Sequence, residues 1–488
     1  MGRPLRVAVR RGNLSIGGSR SLALRAFAAC ALTVGVVGAA TFLAGCADEQ
    51  PRPDIILVSI DSLRADNLGC YGYPRETSPF VDQLASEGVR FENAISTTSW
   101  TLPSHAALFS GLYDSTHGLV SDDQRLAKGV LTIAEVLRDG GYHTAGFYGG
   151  PFLHPTFGLD QGFDVYRSCM AGTGGLESGQ DVRRGLELDR VPSHADVTSP
   201  RTLEEVTSWA ESGVEGPYFL FLHLWDVHYD YIPPQGYVEL FDPDYEGDLT
   251  GESLTTNPAI SQQMARRDLE HLIALYDGEI RFTDDHLRLI FEALDRRGLL
   301  DNALTVITAD HGEEFFEHGG KGHRRTLFDE MIRVPLIVHW PGHVSSGTVV
   351  GNQVRLIDIM PTLAAAAGLA GDLETQGRDL SPLFRGADLA AVPSLSELTV
   401  DGHSLRALRT ENQKLLQRDD AVPGWFYQLD TDRREMKPIL IDEVAGPMQA
   451  EVAKALELGS RLGLDSSDAV DLDDDLRERL EALGYLDN

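Results

Sequence analysis

Along most of this chain, short runs of apolar residues alternate with amphipathic segments. The apolar runs are continuous and rich in isoleucine, leucine, valine and phenylalanine, as is typical of strands buried on both faces of a sheet. The predicted strands span residues 54–60, 91–96, 143–148, 218–224, 304–308 and 334–339. The predicted helices span residues 78–88, 131–138, 202–211, 268–297 (one helix or two) and 357–369. This alternation predicts an α/β fold with a large parallel-rich central sheet and helices on both of its faces.

The pattern changes after residue 384. Residues 404–409 and 414–417 have the length of short antiparallel strands, and residues 472–486 form an amphipathic segment that predicts a closing helix. We therefore divide the body of the chain into a main domain, residues 54–384, and a small C-terminal α+β subdomain, residues 385–488.

The first 45 residues have the composition of an export signal. Six arginines precede an apolar run at residues 26–43, and Leu43-Ala-Gly-Cys46 follows. The run is short for a membrane span, and small residues precede the cysteine. This segment resembles a bacterial lipoprotein signal peptide, with Cys46 lipidated as the mature N-terminus and residues 46–53 as a polar tether. The alternative is an uncleaved signal anchor. Either interpretation places the body of the protein outside the cytoplasm, in the cell envelope.

The net charge of the chain limits the kinds of molecule that it can bind. The formal net charge of −32 argues against nonspecific binding to nucleic acid, because it would repel the phosphate backbone. An anionic substrate therefore needs a local positive site, such as a metal ion.

Beyond Cys46 the chain has only Cys70 and Cys169, and the sequence leaves open whether they form a disulfide.

One polar stretch, residues 98–111, has the features of a helix N-terminus. Pro103 suits a first helical turn, and Gly111 suits the end of the helix. Thr101 is then expected just before the helix, where unpaired N–H groups favour an anion and a hydroxyl could act as a nucleophile. The alternative is that residues 98–101 only cap the helix.

Two predicted strands end at residues that bind metals well. Asp61 follows the first strand, and Asp310 and His311 follow the strand at residues 304–308. Ligand sites of open α/β sheets lie at the carboxyl ends of the strands, so these side chains are expected to meet. Carboxylate and imidazole together suit a divalent cation.

With these residues and several other stretches, the chain resembles a known family, the sulfatases of the alkaline phosphatase superfamily. The matching stretches are residues 60–72, Thr101-Leu-Pro-Ser-His105 with Ser110-Gly111, His223-Leu-Trp-Asp-Val-His228, Asp310-His-Gly312 and residues 333–342. The resemblance implies a metal-dependent ester hydrolase. It also implies that one divalent ion (Ca, Mn, Zn or Mg) is bound by Asp61, Thr101, Asp310 and His311.

The chain departs from the family pattern at two central positions. Ser62 stands where the family usually has a second aspartate. Thr101 stands where sulfatases carry a cysteine or serine that is oxidised to formylglycine, and threonine is not a recognised precursor of that group. Thr101 instead resembles the threonine nucleophile of phosphodiesterase and phosphotransferase members of the superfamily. Sulfate and phosphate esters both remain possible substrates.

Three further residues match positions of the family that contact the ester. His228 matches a histidine that faces the ester oxygen and is a candidate general acid. His323 and Arg324 lie in the second anion-contacting loop and could hold the transferred group. The family's Lys-x-His pair falls at Phe147 and Gly149, where both functions are missing.

These observations leave two classes of function. The first is a metal-dependent hydrolase of sulfate or phosphate esters, or a phosphotransferase, with Thr101 as nucleophile and a sulfated or phosphorylated glycan, lipid or small molecule as substrate. The second is a decayed enzyme that binds anionic glycans at the cell surface. The chain retains the predicted metal ligands and the histidines of the family motifs, and this favours the enzyme over the binding protein.

Overall fold

A computed structural model describes residues 52–171, 196–400, 402–419, 421–440, 446–462 and 468–470, together with 472, 476, 477 and 480. The predicted signal peptide, Cys46 and most of the predicted closing helix lie outside these residues. In the part of the chain that the structure describes, no helix is both long and apolar enough to cross a membrane. Cys70 and Cys169 are both free thiols, so the disulfide left open by the sequence is not formed.

The body is built on a large sheet, as the sequence predicts, and this sheet has eight strands. Its strands, in chain order, are β1 (Asp54–Ile60), β2 (Val89–Ile95), β4 (His143–Tyr148), β5 (Val165–Ser168), β6 (Tyr218–Leu224), β7 (Ala303–Thr308), β10 (Arg333–His339) and β11 (Thr348–Arg355). Two short hairpin strands, β8 (Glu314–Phe315) and β9 (Lys321–Gly322), pair with each other, and β3 (Gln124–Arg125) pairs with β17 (Asp468–Ala469).

The strand order in this sheet is β11-β2-β10-β7-β1-β6-β4-β5. Only β10 runs antiparallel to its neighbours, so the sheet is mostly parallel. Strand β1 lies between β6 and β7, and its residues 55–58 are fully buried, which explains their uninterrupted apolar character. The carboxyl ends of these three neighbouring parallel strands therefore lie side by side.

Helices cover the sheet, and those predicted at residues 78–88, 131–138, 202–211, 268–297 and 357–369 lie within three residues of their predicted ends. They are α1 (Pro79–Glu87), α2 (Thr101–Ser110), α3 (Asp114–His117), α4 (Ile133–Asp139), α5 (Ser199–Glu211), α6 (Gln235–Phe241), α7 (Arg266–Asp295), α8 (Asp329–Ile332), α9 (Ile359–Ala366) and α10 (Gly446–Leu462). Short 3₁₀ turns occupy Ala65–Asn67, Gly69–Tyr71, Pro151–Leu153, Pro155–Phe157, Leu356–Asp358 and Leu383–Arg385. The segment at 268–297 forms the single helix α7, which packs against α1, α5 and α6.

A second, antiparallel sheet follows in the C-terminal region. Its strands are β12 (Ser394–Val400), β13 (His403–Arg409), β14 (Gln413–Arg418), β15 (Ala421–Gln428) and β16 (Ile439–Leu440), in that order. Buried ion pairs join this sheet to helix α8 of the main domain. Arg409 and Lys414 both bind Asp329, at 2.9 and 3.1 Å, and Lys414 also binds Glu435 at 2.8 Å.

Candidate active site

The helix that carries Thr101 begins earlier than the sequence predicts. Helix α2 starts at Thr101 itself, after the extended residue Trp100, so Thr101 is its first residue and does not precede it. The first helical hydrogen bond runs from the Ser104 N–H to the Trp100 carbonyl, at 3.4 Å. Pro103 tolerates the third position because the first-turn N–H groups have no helical partner in any case. Gly111 ends the helix with φ of 68°, as predicted.

The structure brings together the four residues for which a metal role is predicted. Ligand atoms of Asp61, Asp310 and His311 all lie within 4.8 Å of one another, and all three side chains are fully buried. The Thr101 hydroxyl donates to Asp61 Oδ2 at 3.3 Å and lies 3.5 Å from His311 Nε2. Asp61 and Asp310 reach this point from the ends of the neighbouring strands β1 and β7.

The electrostatics of this cluster suit a cation. Burial raises the pKa of Asp61 to about 6, against the lowering effects of His311 and of hydrogen bonds from Ser62 and Thr101. Asp310 Oδ2 is buried and has no hydrogen-bond partner. Two buried carboxylates that are not neutralised are costly, and a divalent ion would offset that cost. The donor set of carboxylate oxygens, imidazole and hydroxyl therefore fits a divalent metal.

Two buried histidines, which the sequence analysis did not assign to the metal site, lie next to this cluster. His223, near the end of β6, lies with Nε2 3.3 Å from Asp61 Oδ2, and its Nδ1 donates to the Gly149 carbonyl. His105, in α2, donates from Nδ1 to the Thr101 carbonyl, and its Nε2 lies 3.0 Å from Ser59 Oγ. Burial lowers the pKa of His105 to about 3 and that of His223 to about 4, so both rings are neutral. A histidine inside an otherwise apolar strand was the available signal for His223.

His323 lies between the predicted metal residues and the predicted general acid. Its ring centre is 4.4 Å from that of His311 and 4.8 Å from that of His228. Its Nδ1 is 3.1 Å from Glu313 Oε1. Sequence reasoning gave Glu313 no role, but the structure buries this carboxyl completely and ties it to the hydroxyl of Tyr231 at 2.8 Å. Glu313 therefore orients His323.

The other two predicted catalytic residues are held firmly in place. The His228 ring stacks on Trp225 with ring centres 3.8 Å apart, and its Nδ1 donates to the Tyr229 carbonyl. The Arg324 guanidinium lies 4.0 Å from the ring centre of Trp100 and binds Asp122 at 3.0 Å. Arg324 also has a left-handed backbone, with φ of 61°.

A cleft of about 840 Å³ opens next to His323, between the hairpin loop at 321–328 and the C-terminal sheet. Its lining includes four cationic side chains and one carboxylate, a local net charge of +3 in a chain of −32. Two aromatic side chains, Trp425 and Tyr427, also line it. The charged residues are Lys321, Arg324, Arg325, Arg418 and Asp122. The cleft is therefore suited to an anionic ligand that reaches the buried histidines.

Comparisons with known proteins agree with this geometry. Residues 53–369 match a family model described as Sulfatase, and residues 317–461 match one described as N-sulphoglucosamine sulphohydrolase, C-terminal. An ulvan-active sulfatase of Formosa agariphila is 26% identical over 440 residues, covering 84% of this chain and 83% of the relative. Arylsulfatase A of Homo sapiens is 29% identical over 388 residues, covering 72% and 71%.

Among solved structures, a phosphonate monoester hydrolase of Agrobacterium radiobacter superposes with a TM-score of 0.66 at 22% identity. The superposition covers 85% of this chain and 96% of that one. At this identity the likeness concerns the fold.

Proposed function

This chain belongs to the sulfatase family and is an ester hydrolase, and from that premise we propose that Thr101 is its nucleophile and that phosphate esters are cleaved faster than aryl sulfates. The observation that carries the proposal is the Thr101 hydroxyl, which lies 3.3 Å from Asp61 and 3.5 Å from His311. This is the position of a nucleophile that is activated by a metal ion.

The chemistry of threonine separates the two classes of ester. Its carbinol carbon carries a methyl group, so Thr101 cannot form the aldehyde hydrate that formylglycine sulfatases use. Attack by the ionised hydroxyl instead forms a bond from Thr101 to phosphorus and breaks the bond from phosphorus to the leaving oxygen. Water then attacks phosphorus, which breaks the Thr101 ester and releases the phosphoryl group. A sulfate ester lacks the easy elimination of the formylglycine route, and we expect it to turn over more slowly.

The surrounding residues take complementary roles in this proposal. A divalent ion bound by Asp61, Thr101, Asp310 and His311 would lower the pKa of the hydroxyl and stabilise developing negative charge. Asp61 Oδ2 accepts the hydrogen bond of the Thr101 hydroxyl and so orients it. His228 gives its Nε2 proton to the leaving oxygen as general acid, since the Tyr229 carbonyl holds its Nδ1 proton. His323, held by Glu313, faces the transferred group.

Two observations support an anionic, glycan-like substrate. The cleft beside His323 carries a local net charge of +3, and its aromatic side chains offer flat faces on which sugar rings can stack. A relative that is 26% identical acts on ulvan. Arg324, which lines this cleft, is proposed to contact the anionic part of the substrate. The protein would meet such a substrate in the cell envelope, anchored through a lipid on Cys46.

The test is a substrate panel for the purified protein: an aryl sulfate, a phosphate monoester and a phosphodiester, each with added Ca²⁺, Mn²⁺, Zn²⁺ or Mg²⁺. We expect metal-dependent turnover in which a phosphoester exceeds the aryl sulfate. Robust aryl sulfate turnover without phosphoester cleavage would overturn the proposal. Product analysis with an added alcohol separates hydrolysis from transfer to another hydroxyl.

A further inference from the structure

The side chain of His223 has an unusual environment for a buried histidine. The residue is 0% exposed and lies on β6, opposite Ser59 of β1. Its Nδ1 is 2.7 Å from the Gly149 carbonyl, and since a carbonyl only accepts, Nδ1 carries the proton. In the neutral ring, Nε2 then presents a lone pair, and this atom has no hydrogen-bond partner.

That lone pair faces the carboxylates of the metal cluster. His223 Nε2 is 3.3 Å from Asp61 Oδ2, in a geometry that forms no hydrogen bond. His223 also belongs to a group, with His105 and Asp310, whose ligand atoms lie within 4.8 Å of one another. Asp310 Oδ2 is likewise buried and lacks a partner. Electron-pair donors that converge in a buried space repel one another unless a cation lies among them.

His311 shows the same arrangement on the other side of Asp61. Its Nδ1 is 2.9 Å from the Gly312 carbonyl, and its Nε2 is 3.8 Å from Asp61 Oδ1. An imidazole that donates one N–H to a backbone carbonyl and turns its other nitrogen toward carboxylates has the usual environment of a metal ligand. The two rings thus flank the two oxygens of Asp61.

We propose that His223 Nε2 is a further ligand of the divalent ion and replaces the carboxylate that is missing at Ser62. The inference rests on the metal site of the proposed function. It also specifies the class of metal, because a second imidazole favours an ion such as Zn²⁺ over Ca²⁺ and Mg²⁺, which prefer oxygen ligands.

The test measures metal binding directly, without turnover. The full protein is stripped of metal and titrated calorimetrically with Zn²⁺ and Mn²⁺, as wild type, His223→Gln and His105→Gln. The His223→Gln substitution should weaken metal binding at least about 10–100-fold, which is the loss typical of a residue that only hydrogen-bonds to a metal ligand. His105→Gln is the outer-sphere comparison, because its ring nitrogens bind the Thr101 carbonyl and the Ser59 hydroxyl, and it should weaken binding less than His223→Gln does.

Pulsed EPR of the Mn²⁺ protein gives a second readout. Wild type should show nitrogen couplings from two imidazoles, and His223→Gln should show one. Adding Ser62→Asp to His223→Ala should restore affinity and shift preference toward Ca²⁺. Thermal unfolding of the metal-free variants confirms that they are folded.

The outcomes separate the two claims. If wild type binds one ion and His223→Gln binds it equally well with unchanged nitrogen couplings, His223 is not a ligand, while the proposed function stands. If His223-dependent binding is found in a protein that cleaves no ester, the ligand assignment stands and the proposed function fails. If wild type binds no divalent ion, both are wrong.

Discussion

The hydroxyl of Thr101 lies 3.3 Å from a carboxylate oxygen of Asp61, although 40 positions separate the two residues. Asp61 is fixed by the end of a buried strand, and Thr101 is fixed by the first turn of α2. The contact therefore joins two rigid elements, which is how a nucleophile is held ready for attack.

Thr101→Ala should lose most phosphoester activity, on the order of a hundredfold or more, because it removes the nucleophile. Steady-state kinetics with the best substrate of the panel measures the effect. Thr101→Ser keeps a hydroxyl and should retain far more activity than the alanine variant. An alanine variant of undiminished rate would show that water attacks the ester directly.

Asp310→Ala should lose bound metal and activity together, because it removes a buried charge that faces the cation. Metal analysis after dialysis, followed by kinetics at saturating metal, measures both. Chelation of wild type should abolish activity, and readdition of the ion should restore it. Full activity in the chelated enzyme would contradict the metal-dependent mechanism.

Cys46→Ser should abolish lipid attachment and release the protein from membranes, since the thiol is the predicted attachment point. Labelled fatty acid and cell fractionation measure the two effects. Cys70→Ser is the matched control and should stay on membranes. If label still enters the Cys46 variant, or its membrane fraction is unchanged, the lipoprotein prediction is wrong.

Asp284 should make the protein less stable as the pH rises. Its carboxyl is buried and accepts hydrogen bonds from the N–H groups of Phe80 and Val81 at the start of α1, both at 2.9 Å. Burial raises its pKa from 3.8 to about 7. The folded protein keeps a proton that the unfolded chain releases, so this contribution is complete below about pH 4 and is lost as the pH rises through about 7.

Asp284→Asn should remove this pH dependence. The free energy of unfolding of wild type, relative to that of the variant, should fall by up to about 4 kcal/mol between pH 4 and pH 8. Urea unfolding at several pH values measures it, with the exposed Glu292→Gln as control. A difference between wild type and Asp284→Asn that does not vary with pH would contradict the prediction.

Lys414→Met should destabilise the protein by about 3–5 kcal/mol, because it leaves Glu435 buried without its cation and Asp329 paired with Arg409 alone. Denaturant unfolding measures the loss. Lys454→Met is the control, since that side chain is 75% exposed and should contribute little. Equal stability of the two variants would show that the buried ion pairs do not hold the C-terminal sheet in place.

The sequence determined the six inner strands of the central sheet and the strand ends that carry Asp61, Asp310 and His311. Strands buried on both faces must be continuously apolar, and this constraint is visible in one dimension. The two edge strands, β5 and β11, were not predicted, because an edge strand such as β11 mixes polar and apolar residues. Helix α2 starts at Thr101 and not after it as predicted, because Pro103 is tolerated within the first turn.

Only the tertiary structure decided which side chains meet. The approach of His223 to Asp61 depends on the pairing of β1 with β6, and residues 61 and 223 are far apart in the chain. The role of Glu313 in holding His323 likewise required the three-dimensional arrangement. Local periodicity reports whether a residue is buried, but contacts between distant segments arise from sheet order and register, which a single sequence does not encode locally.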